Sequence, residues 1–143
     1  NVLMDAKTGK GVCIIDLDTV MPGSVLYDFG DSIRFGASSA AEDEKDLDKV
    51  YVDLEKFESY VKGFVGQLHD SMTEDEILGL PMGAFLMTME TGIRFLGDYL
   101  NGDVYFHIHY PEHNRDRARN QLKLLADMKA KMPEMNAIVR KYL

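Results

Sequence analysis

The sequence has one cysteine, Cys13, and no tryptophan among its 143 residues. A single thiol cannot form an intrachain disulfide, and it excludes a zinc site built from several thiolates. We therefore expect the protein in a reducing compartment, the cytoplasm. No segment approaches the roughly 18 uninterrupted apolar residues that a membrane helix requires, so we expect no contact with a membrane interior.

Basic residues are also few, because 16 Lys and Arg stand against 24 Asp and Glu, for a net charge of −8. Binding to a phosphate backbone requires a basic surface, so this balance argues against nucleic acids and anionic membranes as partners. Small phosphorylated ligands held through a metal ion remain compatible with it. The length and the apolar fraction of 45% predict a single domain over residues 1–143 with its own core.

The hydrophobic pattern predicts a mainly α-helical domain that begins with a β-hairpin. Apolar runs at 1–4 and 12–15 flank a polar stretch with two glycines, which is typical of a hairpin. Because the second run is apolar throughout, we expect it to be covered on both faces. About five helices follow, over 27–36, 54–68, 111–131 and 133–142, with a long one that opens at a Thr73 capping box, restarts at Pro81 and ends at Leu100.

Four finer expectations concern the core and the loops. Segment 103–110, rich in aromatics and histidine, is predicted to be extended, and the acidic run 42–48 to be solvated. Methionines inside the long helix are predicted to fill the core, namely Met82, Met87 and Met89. The apolar stripe of helix 111–131 is predicted at Ala118, Leu122, Leu125 and Met128.

Two acids follow the second strand in the order Asp16-Leu17-Asp18. Carboxylates at a strand end suit Mg²⁺, which takes few protein ligands and completes its shell with water and phosphate oxygens. An antiparallel hairpin would bring Asn1 opposite Asp16, so an amide oxygen and a carboxylate would meet on one cation. The alternative is that Asp16 caps a turn, Asp18 faces solvent and Asn1 is only a polar strand start.

Polar residues further along the chain are also open to two interpretations. Glu90 and Arg94 lie one turn apart on the most apolar helix, where an ion pair must either reach a wet cleft or be fully hydrogen-bonded. The histidines at 107, 109 and 113 suggest zinc, but no carboxylate or cysteine is spaced to complete the set. We favour histidines at the surface or at the rim of a site.

Together, residues 1–3, 12–18 and 27–31 resemble part of the active site of the aminoglycoside phosphotransferase and choline kinase superfamily. In that superfamily a loop of the form H-x-D-x-x-x-x-N leads into a hairpin whose second strand ends in I-D-x-[DE]. The resemblance implies that this chain is the C-terminal lobe of a protein-kinase-like fold. It also implies that Asn1 and Asp16 bind Mg²⁺ and that Asp28 braces the catalytic loop.

Residues 16–23 and 27–37 are most similar to the superfamily's sugar kinases, which use ATP to phosphorylate the anomeric hydroxyl of N-acetylhexosamines. This resemblance implies sugar-binding roles for Asp16, Leu17, Glu90, Arg94 and Tyr105. The family's catalytic aspartate would precede Asn1, so we expect no activity from this chain without the N-terminal lobe of the same protein. The alternatives are a kinase of this fold for choline, homoserine or an aminoglycoside, and a non-catalytic helical interaction module.

Overall fold

The computed structural model describes residues 2–143, and Asn1 lies outside them. The described chain is mainly α-helical, with five α-helices after a two-stranded antiparallel hairpin, which confirms this part of the predicted fold. No helix in it is long and apolar enough to cross a membrane. The strands are β1 (Val2–Met4) and β2 (Gly11–Ile14), and the helices are α1 (Val25–Gly36), α2 (Leu54–Leu68), α3 (Glu74–Leu100), α4 (His113–Ala130) and α5 (Met132–Val139).

Side-chain caps fix where three of the helices begin. The Ser24 hydroxyl accepts a hydrogen bond at the start of α1, and the Asp53 carboxylate accepts two at the start of α2. At α3, Thr73 and Glu76 form the predicted capping box in full. Each cap satisfies N–H groups that lack a helical partner, and a cap of this kind stabilises a protein by about 1 kcal/mol.

Pro81 does not divide α3, so the predicted restart at this position is wrong. Proline removes one helical hydrogen bond, here the one to the carbonyl of Ile77, at a cost of about 3 kcal/mol. The helix nevertheless continues from Glu74 to Leu100. Its first turn is held by the capping box, and Ile77, Leu80 and Pro81 itself are all buried. Tertiary packing therefore offsets the local cost.

The core lies where α1, α2, α4 and α5 surround the first half of α3. The ring of Phe29 packs edge-on against the rings of Phe57 and Phe64, at centroid distances of 5.9 and 5.2 Å. Helices α1 and α3 cross in close contact, because Gly30 faces the backbone of Gly83 with no room for a side chain. The other large buried side chains include Ile33, Ile77, Leu80, Leu124, Met128 and Met135.

The buried face of α4 differs from the predicted stripe. Ala118 and Met128 are buried as expected, but Leu124 is buried in place of Leu122, which is exposed. Polar residues share this face, and Asn120 donates to the carbonyl of Ala41, at 2.9 Å. The apolar spacing does not predict the buried face of α4 correctly, because hydrogen bonds from polar side chains help to hold α4 against the loop after α1.

The hairpin is exposed on both faces, so the predicted burial of β2 is wrong. Its register pairs Val2 with Ile14 and Leu3 with Cys13, and every residue of both strands is exposed. The strands form a sheet only with each other, and no described helix covers either face of that sheet. An apolar run is typical of a covered strand, but the described residues contain no layer that would cover it.

Two further expectations also fail. Segment 103–110 contains bends and no strand, because it folds back against the end of α3 instead of pairing with another segment. Met82 is 48% exposed and lies on the outer face of α3, whereas Met87 and Met89 are partly buried.

Candidate functional site

Arg94 and Tyr105 meet at the surface of the second half of α3. The Nη2 atom of Arg94 donates to the hydroxyl of Tyr105 at 3.5 Å, and the guanidinium carbon lies 5.6 Å from the centre of the phenol ring. The same carbon lies 5.4 Å from the ring centre of Phe106. A guanidinium this close to two aromatic rings is attracted by their electron-rich faces.

Glu90 lies one helical turn before Arg94. Its Oε1 atom is 3.5 Å from Nη1 of Arg94, and both side chains are 47% exposed. The pair is therefore at the protein surface and not enclosed in helix packing. An exposed pair at this spacing stabilises a helix by only about 0.3 to 0.5 kcal/mol, so the Glu90–Arg94 pair contributes little to the stability of the fold.

An open groove of about 410 Å³ lies against Arg94 and Tyr105. Its remaining walls come from the end of α3 and the segment after it, namely Gly97, Asp98, Asn101, Val104 and Phe106. This volume is within the range of small-molecule sites. The groove offers a planar set of N–H donors, a phenol with one polar end and an apolar ring, which suits a small polar ligand with one flat apolar face.

Asp98 holds the segment that carries Tyr105. Its side chain is 7% exposed and accepts hydrogen bonds from three consecutive backbone N–H groups, at residues 104, 105 and 106. Burial raises the pKa of its carboxyl, but these bonds and one from Asn114 outweigh burial and hold the pKa below its ordinary value. Sequence reasoning missed Asp98. The available signal was an acid in the last turn of an apolar helix, where the helix dipole disfavours negative charge.

A second hollow, of about 350 Å³, shares Arg94 and Phe106 with the groove as lining residues. Here Glu42 forms an ion pair with Arg34 and lies 3.6 Å from Nε of Arg117. The acidic run 42–48 is therefore not uniformly solvated, since Glu42 is partly enclosed between two arginines. Because α1 supplies Arg34 and α4 supplies Arg117, the partial burial of Glu42 depends on tertiary structure.

The three histidines do not behave alike. His107 and His109 are exposed, but His113 is 1% exposed, so its predicted surface or rim position is wrong. The backbone N–H of His109 donates to Nδ1 of His113, and Nε2 lies 3.4 Å from the Asp43 carboxylate. Burial lowers the pKa of His113, and the nearby positive charge of Arg117 lowers it further. Among residues 2–143, no three potential His, Cys, Asp or Glu ligands gather where they could hold a metal ion.

The hairpin residues of the predicted site occupy a different part of the chain. Asp16 follows β2 with a positive φ of 64°, a conformation that Asp tolerates better than most residues. Leu17 is exposed, and Asp28 lies in the exposed first turn of α1. Neither Asp16, Leu17 nor Asp28 lines the Arg94 groove. The expected meeting of Asn1 with Asp16 lies outside the described residues.

The structure thus brings Glu90, Arg94 and Tyr105 together. Asp16 and Asp28 do not line the groove that these residues border. No model of a known protein family matches the chain.

Proposed function

We propose that this chain supplies the metal-binding and sugar-binding residues of an ATP-dependent sugar kinase. The enzyme would belong to the aminoglycoside phosphotransferase and choline kinase superfamily, and it would phosphorylate the anomeric hydroxyl of an N-acetylhexosamine, as N-acetylhexosamine 1-kinase does. One observation carries the proposal: Arg94 and Tyr105, 11 positions apart, meet at 3.5 Å beside an open groove. The resemblance assigns sugar binding to these same two residues.

The groove has the chemistry that a sugar requires. The guanidinium of Arg94 can donate to two neighbouring hydroxyl or carbonyl oxygens in a fixed plane. The ring of Tyr105 offers an apolar face to the C–H side of a pyranose and a hydroxyl to its edge. Glu90, 3.5 Å from Arg94, adds a carboxylate that can accept from a sugar hydroxyl.

A single carboxylate such as that of Asp16 is compatible with Mg²⁺ binding. The ion usually takes only one or two protein carboxylates and fills its other positions with water and phosphate oxygens, so a larger ligand cluster is not needed. Asp16 would hold the ion, and Asn1 is the second ligand that the resemblance implies. When bound, Mg²⁺ would neutralise negative charge on the phosphates of ATP. Leu17 would contact the sugar and Asp28 would brace the catalytic loop.

Phosphoryl transfer depends mainly on positioning and on charge neutralisation. In this proposal Arg94 and Tyr105 bind the sugar and orient its anomeric hydroxyl, while Glu90 fixes the guanidinium. No residue of 1–143 is assigned the role of catalytic base, so turnover by this chain alone is not expected. The direct test is therefore ligand binding.

Charge separates the proposed substrate from the main competitors. Choline and aminoglycosides carry a cation and homoserine is a zwitterion, and a cationic group favours an acidic cleft. An N-acetylhexosamine is neutral. The groove is lined by one cation, Arg94, and one carboxylate, Asp98, so its lining has no excess of acidic groups for a cationic substrate, and this balance favours the neutral sugar over choline and aminoglycosides.

Calorimetric titration of the chain with N-acetylglucosamine, N-acetylgalactosamine and choline tests the proposal. We expect saturable binding of at least one sugar and none of choline. Tyr105→Ala should weaken sugar binding, whereas Tyr51→Ala, at an exposed tyrosine that does not line the groove, should leave it unchanged. Binding of choline alone would favour the alternative kinase. Binding of neither class would favour a non-catalytic module.

A further inference from the structure

We infer that Asp98 is a positioning residue that holds Tyr105 against Arg94 in the groove, an inference that rests on the proposed function. Its Oδ1 atom accepts from the N–H groups of Val104 and Tyr105, at 3.0 and 2.9 Å. Its Oδ2 atom accepts from the N–H of Phe106 at 2.9 Å and from Nδ2 of Asn114 at 2.8 Å. One carboxylate thus fixes three successive peptide units, including that of Tyr105.

Other contacts hold the residues that follow Tyr105 in this segment: the ring of Phe106 packs on Phe95 at a centroid distance of 4.7 Å, and the carbonyl of His107 accepts from Arg117. Tyr105 itself has fewer contacts. The 103–110 segment contains no helix or strand, and the Tyr105 side chain is 72% exposed. Its ring contacts are with Arg94 and with the neighbouring ring of Phe106, at a centroid distance of 4.8 Å. The position of the phenol relative to Arg94 therefore depends on the backbone of residues 104–106, whose three N–H groups all donate to Asp98.

The location of Asp98 also needs an explanation. The residue lies in the last turn of α3, where unpaired carbonyl groups give the helix end a partial negative charge that disfavours a carboxylate. It is nearly buried, which adds a desolvation cost. The four hydrogen bonds compensate for both costs, and their geometry makes the segment close over the helix end.

A change at Asp98 should therefore act on ligand binding through Tyr105. Asn at this position keeps the size of the side chain but replaces one acceptor oxygen by an amide that only donates, so at least one backbone N–H loses its partner. A misplacement of about 1 Å can cost an enzyme up to about 10²-fold in rate, and displacement of the phenol from the sugar should lower affinity for the same geometric reason. We expect Asp98→Asn to weaken sugar binding at least about 10-fold.

A double-mutant cycle tests the coupling, with N-acetylglucosamine and N-acetylgalactosamine as the probes. Asp98→Asn, Tyr105→Ala and the double variant are titrated beside the wild-type chain, with Asp70→Asn at an exposed acid as the control. If Asp98 acts through Tyr105, the double variant binds no more weakly than Tyr105→Ala alone. Independent, additive losses would overturn the inference, because they would assign Asp98 an effect that does not pass through Tyr105.

A second measurement needs neither sugar binding nor a folded variant. In the wild-type chain, the amides of Val104, Tyr105 and Phe106 should exchange with deuterium slowly, although no helix or strand protects them. Exchange as fast as that of the amides of Met21 and Gly23, in the irregular loop before α1, would contradict the inference. If no sugar binds but these amides are protected and the Tyr105 ring shows NMR contacts to Arg94, the proposed function fails and the positioning role of Asp98 stands.

Discussion

The hydroxyl of Tyr105 lies 3.5 Å from Nη2 of Arg94, although the tyrosine belongs to an irregular segment and the arginine to the longest helix. Asp98, one turn after Arg94 on that helix, binds the backbone of Tyr105 through a hydrogen bond of 2.9 Å. The helix thus supplies both the partner of the phenol and the group that holds it. Both groups that would contact a ligand in the groove, the guanidinium of Arg94 and the phenol of Tyr105, are therefore held by α3.

Replacement of the guanidinium should weaken sugar binding selectively. Arg94→Gln removes a charged donor, and a hydrogen bond to a charged group contributes about 1.5 to 3 kcal/mol, or roughly 10- to 150-fold in affinity. Arg119→Gln is the matched control, because Arg119 is exposed on α4 and lines neither hollow. Calorimetry with N-acetylglucosamine measures both. Equal effects of the two variants would mean that only net charge matters.

Asp16→Asn should remove divalent-ion binding without unfolding the chain. Asn tolerates the positive φ at this position as well as Asp does, and surface substitutions usually change the free energy of unfolding by no more than about 0.5 kcal/mol. Manganese, used as a paramagnetic probe, should broaden NMR signals around Asp16 in the wild-type chain and not in the variant. Broadening centred on another group of acids would move the metal site away from the hairpin.

Packing of α1 on α3 should be sensitive to a single methyl group. In Gly30→Ala, the new Cβ would overlap the carbonyl of Gly83, and we expect a loss of about 1 to 3 kcal/mol in the free energy of unfolding. Gly63→Ala is the control, because nothing lies near its Cβ and a helical alanine should stabilise the protein by about 0.5 to 1 kcal/mol. Urea unfolding measures both changes. Stabilisation by both would contradict the close crossing of the helices.

His113 should make the protein less stable as the pH falls. Burial, then the charges of Arg117 and His109, lower its pKa in the folded state, while Asp43 acts in the opposite direction. Below the ordinary value near 6.5, the unfolded chain takes up a proton that the folded chain resists. The free energy of unfolding therefore falls as the pH decreases through 6.5, until the lower folded-state pKa is passed.

Urea titrations between about pH 7.5 and about pH 5 check this, since His is the side chain that ordinarily titrates in this range. His113→Gln should reduce the pH dependence of the free energy of unfolding, whatever its effect on absolute stability. His69→Gln, at an exposed histidine, should leave that dependence nearly unchanged. An unchanged slope in His113→Gln would show that His113 carries its proton equally in both states.

Most helix boundaries could be predicted from sequence because their signals are local. Thr73 begins α3 with the predicted capping box, and the helix predicted over 54–68 has those same bounds, with Phe57, Val61 and Val65 buried. Caps and periodicity act within one or two turns, so a single sequence contains them.

The failures have causes at longer range. Whether Pro81 breaks a helix depends on packing around it, and whether residues 12–15 are covered depends on what lies beside the hairpin. On α4, Leu124 is buried in place of Leu122. The polar residue Asn120 is buried as well, because the loop after α1 offers it a carbonyl group as a hydrogen-bond acceptor. The pairing of Arg94 with Tyr105 was expected only through resemblance, and Asp98, which fixes it, was missed.

An NMR titration that maps where the sugar binds is the most direct test of the account. N-acetylglucosamine or N-acetylgalactosamine should shift the signals of Arg94, Tyr105 and Gly97 in a saturable manner, and it should give contacts between the sugar C–H groups and the Tyr105 ring. Choline at the same concentration should shift none of them. Sugar-induced shifts confined to residues away from this groove, or no saturable shift with either sugar, would contradict the account.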